Sequence, residues 1–325
     1  SDFRREATAA EIDRMAHLLD ADMTAGALGL SSGLEYDPGY YSNQAELEAL
    51  AKVAARHGGM AISHVRDEAN SAFEAFEELA AVARGAGLPA QISHIKLGSA
   101  AVWGRAEDVL ARFLRPYAAP RMTADVYPYT FWQSTAAALT PSRAWEDRSI
   151  WERALADVGG PGNIRLSAYT HEPRWVGRTL AEIAQDTGRD AIELVQEILR
   201  RTRGPGGSGE ESAVVTAMRE DDLEAFLRHP QVMVCSDGLI GGSHPRGAGA
   251  FPRVLGRYVR ERAVLPLGEA IRKMTSLPAA VFGFSDRGVI AAGAVADLVA
   301  FDPRTISDSA TPENPTAAFA AAGNR

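Results

Sequence analysis

Three side chains far apart along the chain, His64, His94 and Asp237, each close a short apolar run: Met60-Ala-Ile-Ser-His64, Ala90-Gln-Ile-Ser-His94 and Gln231-Val-Met-Val-Cys-Ser-Asp237. Runs of this kind read as buried strands of a parallel sheet. A single histidine at a strand end is ordinarily a hydrogen-bonded structural residue. Two in the same Ile-Ser-His frame, with an aspartate on a later strand, form a stronger pattern, because the C-terminal ends of parallel barrel strands converge on one face. Neutral imidazoles and a carboxylate meeting there suit a divalent cation, above all zinc, since a nitrogen-rich site with an open position generates hydroxide near neutral pH. Lys96 lies two residues beyond His94, so on a strand both side chains would point to the same side. The chain has three lysines, Lys52, Lys96 and Lys273, and arginine elsewhere. A flexible point charge retained beside His94 therefore points to carboxylate binding. Arg246 follows Asp237 in Gly-Gly-Ser-His-Pro-Arg-Gly and offers a bidentate clamp for a second carboxylate contact. Cys235 reads as a small core residue. Of the other histidines, His17 and His57 fall on helical patterns and His171 and His229 in or beside loops, while His244 is placed at the entrance of the site and is not taken as a ligand.

These residues need elements to hold them. Helical periodicity runs from Glu11 to Leu28, from Gln44 to Arg56, from Glu68 to Arg84 and from about Ala101 to Leu114, alternating with the strand runs. Met122-Thr-Ala-Asp-Val-Tyr127 makes a further strand. The spacing of about 30 residues between successive strands is that of one strand-helix crossover. From Pro128 to Gly209 the rhythm is interrupted by Trp and Pro residues, a helix over Leu180 to Arg201 and a Gly-rich loop, predicting an insertion over about 131–212 that covers one face. Helices follow near Phe251 to Arg262 and Leu267 to Thr275. Gly288 to Asp302 reads as short strands joined by turns, the start of a small β module. The expected division is thus a barrel part over 1–280 and part of a β module over 281–325. No Gly-x-Gly-x-x-Gly turn follows a strand, so a dinucleotide fold has no support. Strand signals near Leu28, Ile62, Ile92, Val126 and Val234 number five where a barrel has eight. About a hundred residues on the N-terminal side are expected to be missing.

Composition narrows the partners. With 325 residues and 46% apolar content the chain can bury a large core, and its net charge of -8 disfavours nucleic acid and polybasic membrane anchoring. Small molecules, and a second copy of the chain, are the partners expected. One cysteine excludes an internal disulfide and fits a reducing compartment, with cytoplasm as the default. There is no run long enough to span a membrane and no signal-peptide stretch at Ser1-Asp2-Phe3-Arg4-Arg5.

The motifs, taken in order, resemble the N-acyl-D-amino-acid deacylase (D-aminoacylase) family of the amidohydrolase superfamily. They are Gly26-Ala-Leu-Gly-Leu-Ser-Ser-Gly-Leu-Glu-Tyr-Asp-Pro-Gly39, Ser63-His64-Val-Arg66-Asp-Glu68, Ser93-His94-Ile-Lys96, Asp125-Val-Tyr-Pro-Tyr129, Ser236-Asp237-Gly238, His244-Pro-Arg246-Gly and Met274-Thr-Ser-Leu-Pro278, with Ala296-Asp-Leu-Val-Ala-Phe-Asp-Pro303 near the end. The resemblance implies a metal-dependent β/α barrel with an insertion after strand seven, and hydrolysis of the amide bond of an N-acyl-D-amino acid. It implies His64 and His94 as metal ligands from strands five and six, and Asp237 from strand eight as metal ligand and general acid/base. It gives Tyr127 to the scissile carbonyl, and Lys96, Ser134 and Arg246 to the substrate. It also implies zinc at one or two positions, incomplete in this chain. The family's His-x-His pair on the first strand and its metal-binding cysteine are not in the sequence, and Cys235 does not match that cysteine. The chain is therefore expected to be part of a longer polypeptide, or else a shortened, non-catalytic remnant. Hydantoinase-like and dihydroorotase-like relatives, which use a carbamylated lysine on strand four, are the other alternative; Ala27 to Ser32 contains no lysine, which argues for the deacylase branch. A five-strand barrel segment has open edges, so the isolated chain is expected to aggregate or dimerise, and a monomeric sedimentation profile with a cooperative melt would contradict this.

Overall fold

The computed structural model describes residues 3–115, 120–142, 144–239 and 242–317. The terminal Ser1-Asp2 and Ala322-Gly-Asn-Arg325 lie outside them. Helix α1 (Ala9–Thr24) begins at a capping box between Thr8 and Glu11. It leads to strand β1 (Gly29–Gly33), and the units α2 (Gln44–Arg56), β2 (Met60–His64), α3 (Ala72–Ala86), β3 (Ala90–Ile92), α4 (Ala106–Phe113) and β4 (Met122–Val126) follow. The apolar positions of α2 (Leu47, Leu50, Ala51, Ala54) and α3 (Phe73, Phe76, Leu79, Ala80, Ala83) recur every three or four residues and are buried. They close one core over the sheet. Helix α3 starts four residues later than its periodicity suggests. The Asp67 carboxylate accepts the Ala69 N–H at 2.6 Å, a local turn that holds 67–71 out of the helix and leaves Glu68 in the loop after β2.

After β4 the chain leaves the sheet and returns as β8 (Val232–Val234), giving a parallel sheet in the order β1-β2-β3-β4-β8. All five predicted strands are in it. Register places Gly33 opposite His64, Ser63 opposite Ile92, Ile92 opposite Ala124 and Val126 opposite Val234, so the C-terminal ends lie level. Two ends differ from the sequence reading. β3 stops at Ile92 and β8 at Val234, and His94 and Asp237 sit just beyond them in left-handed conformation, with φ of 38° and 46°. Side chains other than glycine rarely adopt that region, and at functional sites such strain is held by surrounding structure. Lys96 accordingly is not placed by strand alternation.

The segment between β4 and β8 is a unit with its own core. Strands β5 (Phe131–Ser134), β6 (Ile164–Tyr169) and β7 (Glu211–Thr216) form an antiparallel sheet in the order β5-β7-β6. Helices α5 (Arg148–Asp157), α6 (Leu180–Thr187) and α7 (Ala191–Arg203) pack on it around Trp151, Leu166, Leu194 and Ile198, all fully buried. The insertion expected to 212 extends to Thr216, and its antiparallel sheet pairs strands that lie far apart along the chain. At the end of α5, Asp157 ties the unit to the barrel part, accepting Asn70 Nδ2 at 2.7 Å and, through its carbonyl, the Ala100 N–H at 2.8 Å.

Helix α8 (Glu220–Arg228) precedes β8, and α9 (Arg246–Arg253), α10 (Leu267–Met274) and α11 (Ser276–Phe282) follow it. α9 continues as a π-helical stretch from Val254, just after Pro252, which lacks the N–H that regular α-helix would use. The strands expected in Gly288–Asp302 do not form: the backbone is irregular and Ile290 and Val299 are 93% and 87% exposed. A strand satisfies its backbone groups only against a neighbour, and no described segment pairs with this one. No helix among the described residues is long and apolar enough to cross a membrane.

Lys273 on α10 is fully buried at the entry to β8, where its ammonium donates to the carbonyls of His229 and Val232. Burial lowers its pKa from 10.5 to about 8, against the pull of Glu269. Between these values the unfolded chain holds a proton that the folded chain has released, so this group makes stability rise with pH. Urea midpoints measured from pH 8 to 9.5 should climb more steeply in the native protein than in Lys273→Met.

Candidate active site

At the C-terminal ends of β2 and β3 four side chains form one buried cluster. His64 Nδ1 and His94 Nε2 are 2.9 Å apart. The loop carboxylate of Glu68 sits beneath both, with Oε1 3.0 Å from His94 Nδ1 and Oε2 3.6 Å from His64 Nε2. Lys96 Nζ donates to Glu68 Oε1 at 2.6 Å and lies 2.8 Å from His94 Nδ1. Glu35, just past β1, closes the far side, its Oε2 2.7 Å from His64 Nε2. Burial works against a charged Glu68, yet His64, Lys96 and His94 together hold its pKa well below the usual range. Burial likewise opposes a charged His64, and Glu68 and Glu35 outweigh it and raise its pKa. Beneath the cluster, Asp125 of β4 accepts the His94 backbone N–H at 2.7 Å and a hydrogen bond from Gln91, which fixes the left-handed turn at His94.

A divalent cation fits this donor set. Ligand atoms of His64, Glu68 and His94 all lie within 4.8 Å of one another, and two imidazoles with a carboxylate are a nitrogen-rich borderline set of the kind zinc takes.

The opposite wall is built from β4 and the loops after β8. Asp237 is paired with Arg246, Nη1 to Oδ2 at 2.7 Å. Gly238 permits this: a Cβ there would collide with the backbone of Gly247, so only glycine lets the Asp237 turn reach the start of α9. The Arg246 guanidinium lies 4.7 Å over the Tyr127 ring, and Lys96 Nζ 5.5 Å over the same ring. Tyr127 Oη and Arg246 Nε are buried without a hydrogen-bond partner, and burial raises the pKa of Tyr127 well above 10, so the phenol stays a donor. All of these side chains line a single cavity of about 310 Å³, with Ser134 of β5 and Arg153 of α5 contributed by the insertion. The structure thus brings His64, His94, Lys96, Tyr127, Ser134, Asp237 and Arg246 to one cavity. Asp237 lines it from the Arg246 side and is not among the groups within mutual metal-ligand distance.

Glu68 and Glu35 were missed as site residues. Glu68 was legible only as a helix residue and as the end of the Ser63-to-Glu68 motif, and Glu35 only as part of a Gly-rich motif; the one available signal of a role was an acidic residue four positions after His64. His244 is also corrected. It is 5% exposed, not at the entrance, and burial beside Arg246 lowers its pKa to about 3. His17, His57 and His171 bond Asp13, Asp20 and Ser208, away from the cavity.

Residues 178–318 match the amidohydrolase family. The chain is similar to the amidohydrolases. Within them it is similar, over nearly its whole length, to the N-acyl-D-amino-acid deacylases. It is 40% identical over 316 residues to an N-acyl-D-glutamate deacylase of Alcaligenes xylosoxydans xylosoxydans, covering 96% of this chain and 59% of that protein. A D-aminoacylase of the same organism is 35% identical over 317 residues, 97% of this chain and 60% of that one. The crystal structure of an N-acyl-D-glutamate deacylase from Bordetella bronchiseptica, complexed with zinc and a phosphonate mimic of the tetrahedral intermediate, superposes with a TM-score of 0.84 at 38% identity, over 98% of this chain and 62% of that one. The chain therefore spans about three fifths of the length of the curated relatives it matches.

Because Lys96 is buried and Glu68 is its carboxylate partner, Glu68→Ala should cost about 3–5 kcal/mol in urea unfolding, the penalty of an uncompensated buried charge. Removing both charges in Glu68→Ala/Lys96→Met should recover most of it.

Proposed function

We propose that this chain carries the substrate-binding and proton-transfer part of a zinc-dependent N-acyl-D-amino-acid deacylase. The observation that supports it is the sharing of one cavity by an imidazole and carboxylate cluster and by two cations, Lys96 and Arg246. An N-acyl amino acid presents the matching pair of groups, an amide carbonyl and an α-carboxylate a few ångströms apart. His64 and His94 would hold the metal, with Glu68 beside them and Asp237 reaching it from the strand-eight side. When bound, zinc supplies Lewis-acid polarisation of a carbonyl and a lowered pKa for water.

The chain's own residues do the rest. Asp237 takes a proton from the attacking water and returns it to the leaving nitrogen, a transfer that its half-buried position on the cavity wall past β8 allows. Tyr127, an un-ionised donor with no protein partner, gives its O–H to the oxygen on which charge develops. Arg246 and Lys96 hold the substrate carboxylate, with the Ser134 hydroxyl at the insertion side. Lys96 spends one donor on Glu68 and keeps others for substrate. Arg153 on the same cavity wall favours an acidic substrate side chain, in line with the D-glutamate named for the 40% identical relative.

Metal analysis of the purified protein, together with hydrolysis of N-acetyl-D-glutamate and N-acetyl-D-leucine against their L-isomers, tests the reading. Zinc in the protein and turnover confined to D-isomers is the expected result; equal rates on both isomers would overturn it. Asp237→Asn should retain most of the metal and lose turnover by about 10²-fold or more. Wild-type rates in that variant would remove Asp237 from the proton path.

A further inference from the structure

His244 takes no part in the chemistry described so far, yet it joins the start of α9 to β5 of the insertion. Its Nδ1 accepts the backbone N–H of Arg246 at 2.9 Å, and its Nε2–H donates to the carbonyl of Phe131 on β5 at 2.9 Å. These two bonds fix the tautomer, and the ring is protected from protonation by burial and by the neighbouring Arg246. Arg246 is the first residue of α9, so its N–H is one of those that a helix start leaves without an internal acceptor. The imidazole supplies that acceptor. Its faces are packed as well: Phe131 stacks on it with centroids 4.7 Å apart at 27°, and Tyr129 and Tyr127 meet it edge-on at 5.3 and 6.0 Å. Tyr127 in turn carries the Arg246 guanidinium over its ring. One neutral imidazole thus sets the backbone from which Arg246 reaches Asp237 and the first strand of the insertion, three residues before Ser134.

We infer that His244 is a positioning residue for substrate binding, which locks the Arg246 clamp and the Ser134 strand of the insertion into one rigid carboxylate-binding frame. It touches no reacting atom; its effect passes through Arg246 and β5. The inference rests on the deacylase reading for its substrate and on the two hydrogen bonds for its geometry.

The two ring nitrogens can be tested one at a time. In His244→Asn the amide oxygen replaces Nδ1 as acceptor for the Arg246 N–H, as in an Asx turn, while the bond to Phe131 is lost. In His244→Gln the longer amide replaces the Nε2–H donor to Phe131 and leaves Arg246 free. His244→Phe keeps only the packing. With N-acetyl-D-glutamate as substrate, His244→Gln and His244→Phe should raise KM by about tenfold or more with kcat within about twofold, and His244→Asn should stay closer to wild type. Hydrogen exchange at the Arg246 amide, which needs no substrate, should be slow in the wild type and His244→Asn and fast in the other two. An unchanged KM in His244→Gln, or identical exchange at the Arg246 amide in all four proteins, would overturn the assignment. Should His244→Phe fail to fold, the Asn and Gln pair decides. Should the wild type hydrolyse no N-acyl-D-amino acid, the deacylase reading falls, and amide exchange alone still decides whether His244 holds Arg246.

Discussion

The carboxylate of Glu68, buried among His64, His94 and Lys96, is the interaction on which the site depends. A buried ammonium or imidazolium without a counter-charge is expensive, and so is a buried carboxylate; together they offset one another's desolvation. That balance holds the ends of β2 and β3 to the loop before α3, and it leaves the lysine with donors to spare. The same cluster that neutralises the interior therefore also lines the cavity, with a donor set that a cation fits.

The two walls are built by different means. The side of His64 and His94 is set by strands whose level ends present His64 and, two residues past β3 and itself in left-handed conformation, His94, with Asp125 securing that turn from below. The opposite side relies on loops, where Gly238 and Gly247 approach closely enough to seat Asp237 against Arg246. Loops are more adaptable than strands, and here His244, Tyr127 and the stacked Phe131 supply the rigidity that the loop backbone lacks.

The insertion contributes to the cavity without sharing the barrel's core. Its apolar residues cluster around Trp151 and Leu194, while Asp157, Asn70 and Ala100 pin it over the strand ends. The cavity is in this way lined from separate units: His64, Glu68, His94 and Asp237 on the sheet side, Ser134 and Arg153 on the insertion. Such a division lets the insertion's wall of the cavity vary while the sheet stays fixed.

How much of this was legible beforehand follows from what each residue's signal depends on. The five parallel strands, the helices between them and the roles suggested for His64, His94 and Asp237 come from periodicity and from repeated residue frames, which are local properties of the chain. Helix α2 and strand β2 match their predicted bounds residue for residue. Strands β6 and β7 escaped notice because antiparallel pairing inside a small unit is decided by distant partners, and the strands expected after Gly288 failed to form for want of a partner in the described chain. Glu68, Glu35 and His244 were beyond reach for a further reason. Their importance lies in what their polar atoms meet, and an Asx turn at Asp67 or a ring wedged between two loops brings together residues that sequence distance hides. The sequence by itself determined the order of elements and the chemical types at the strand ends; the tertiary structure alone decided which charges pair, because burial and contact are properties of the folded chain.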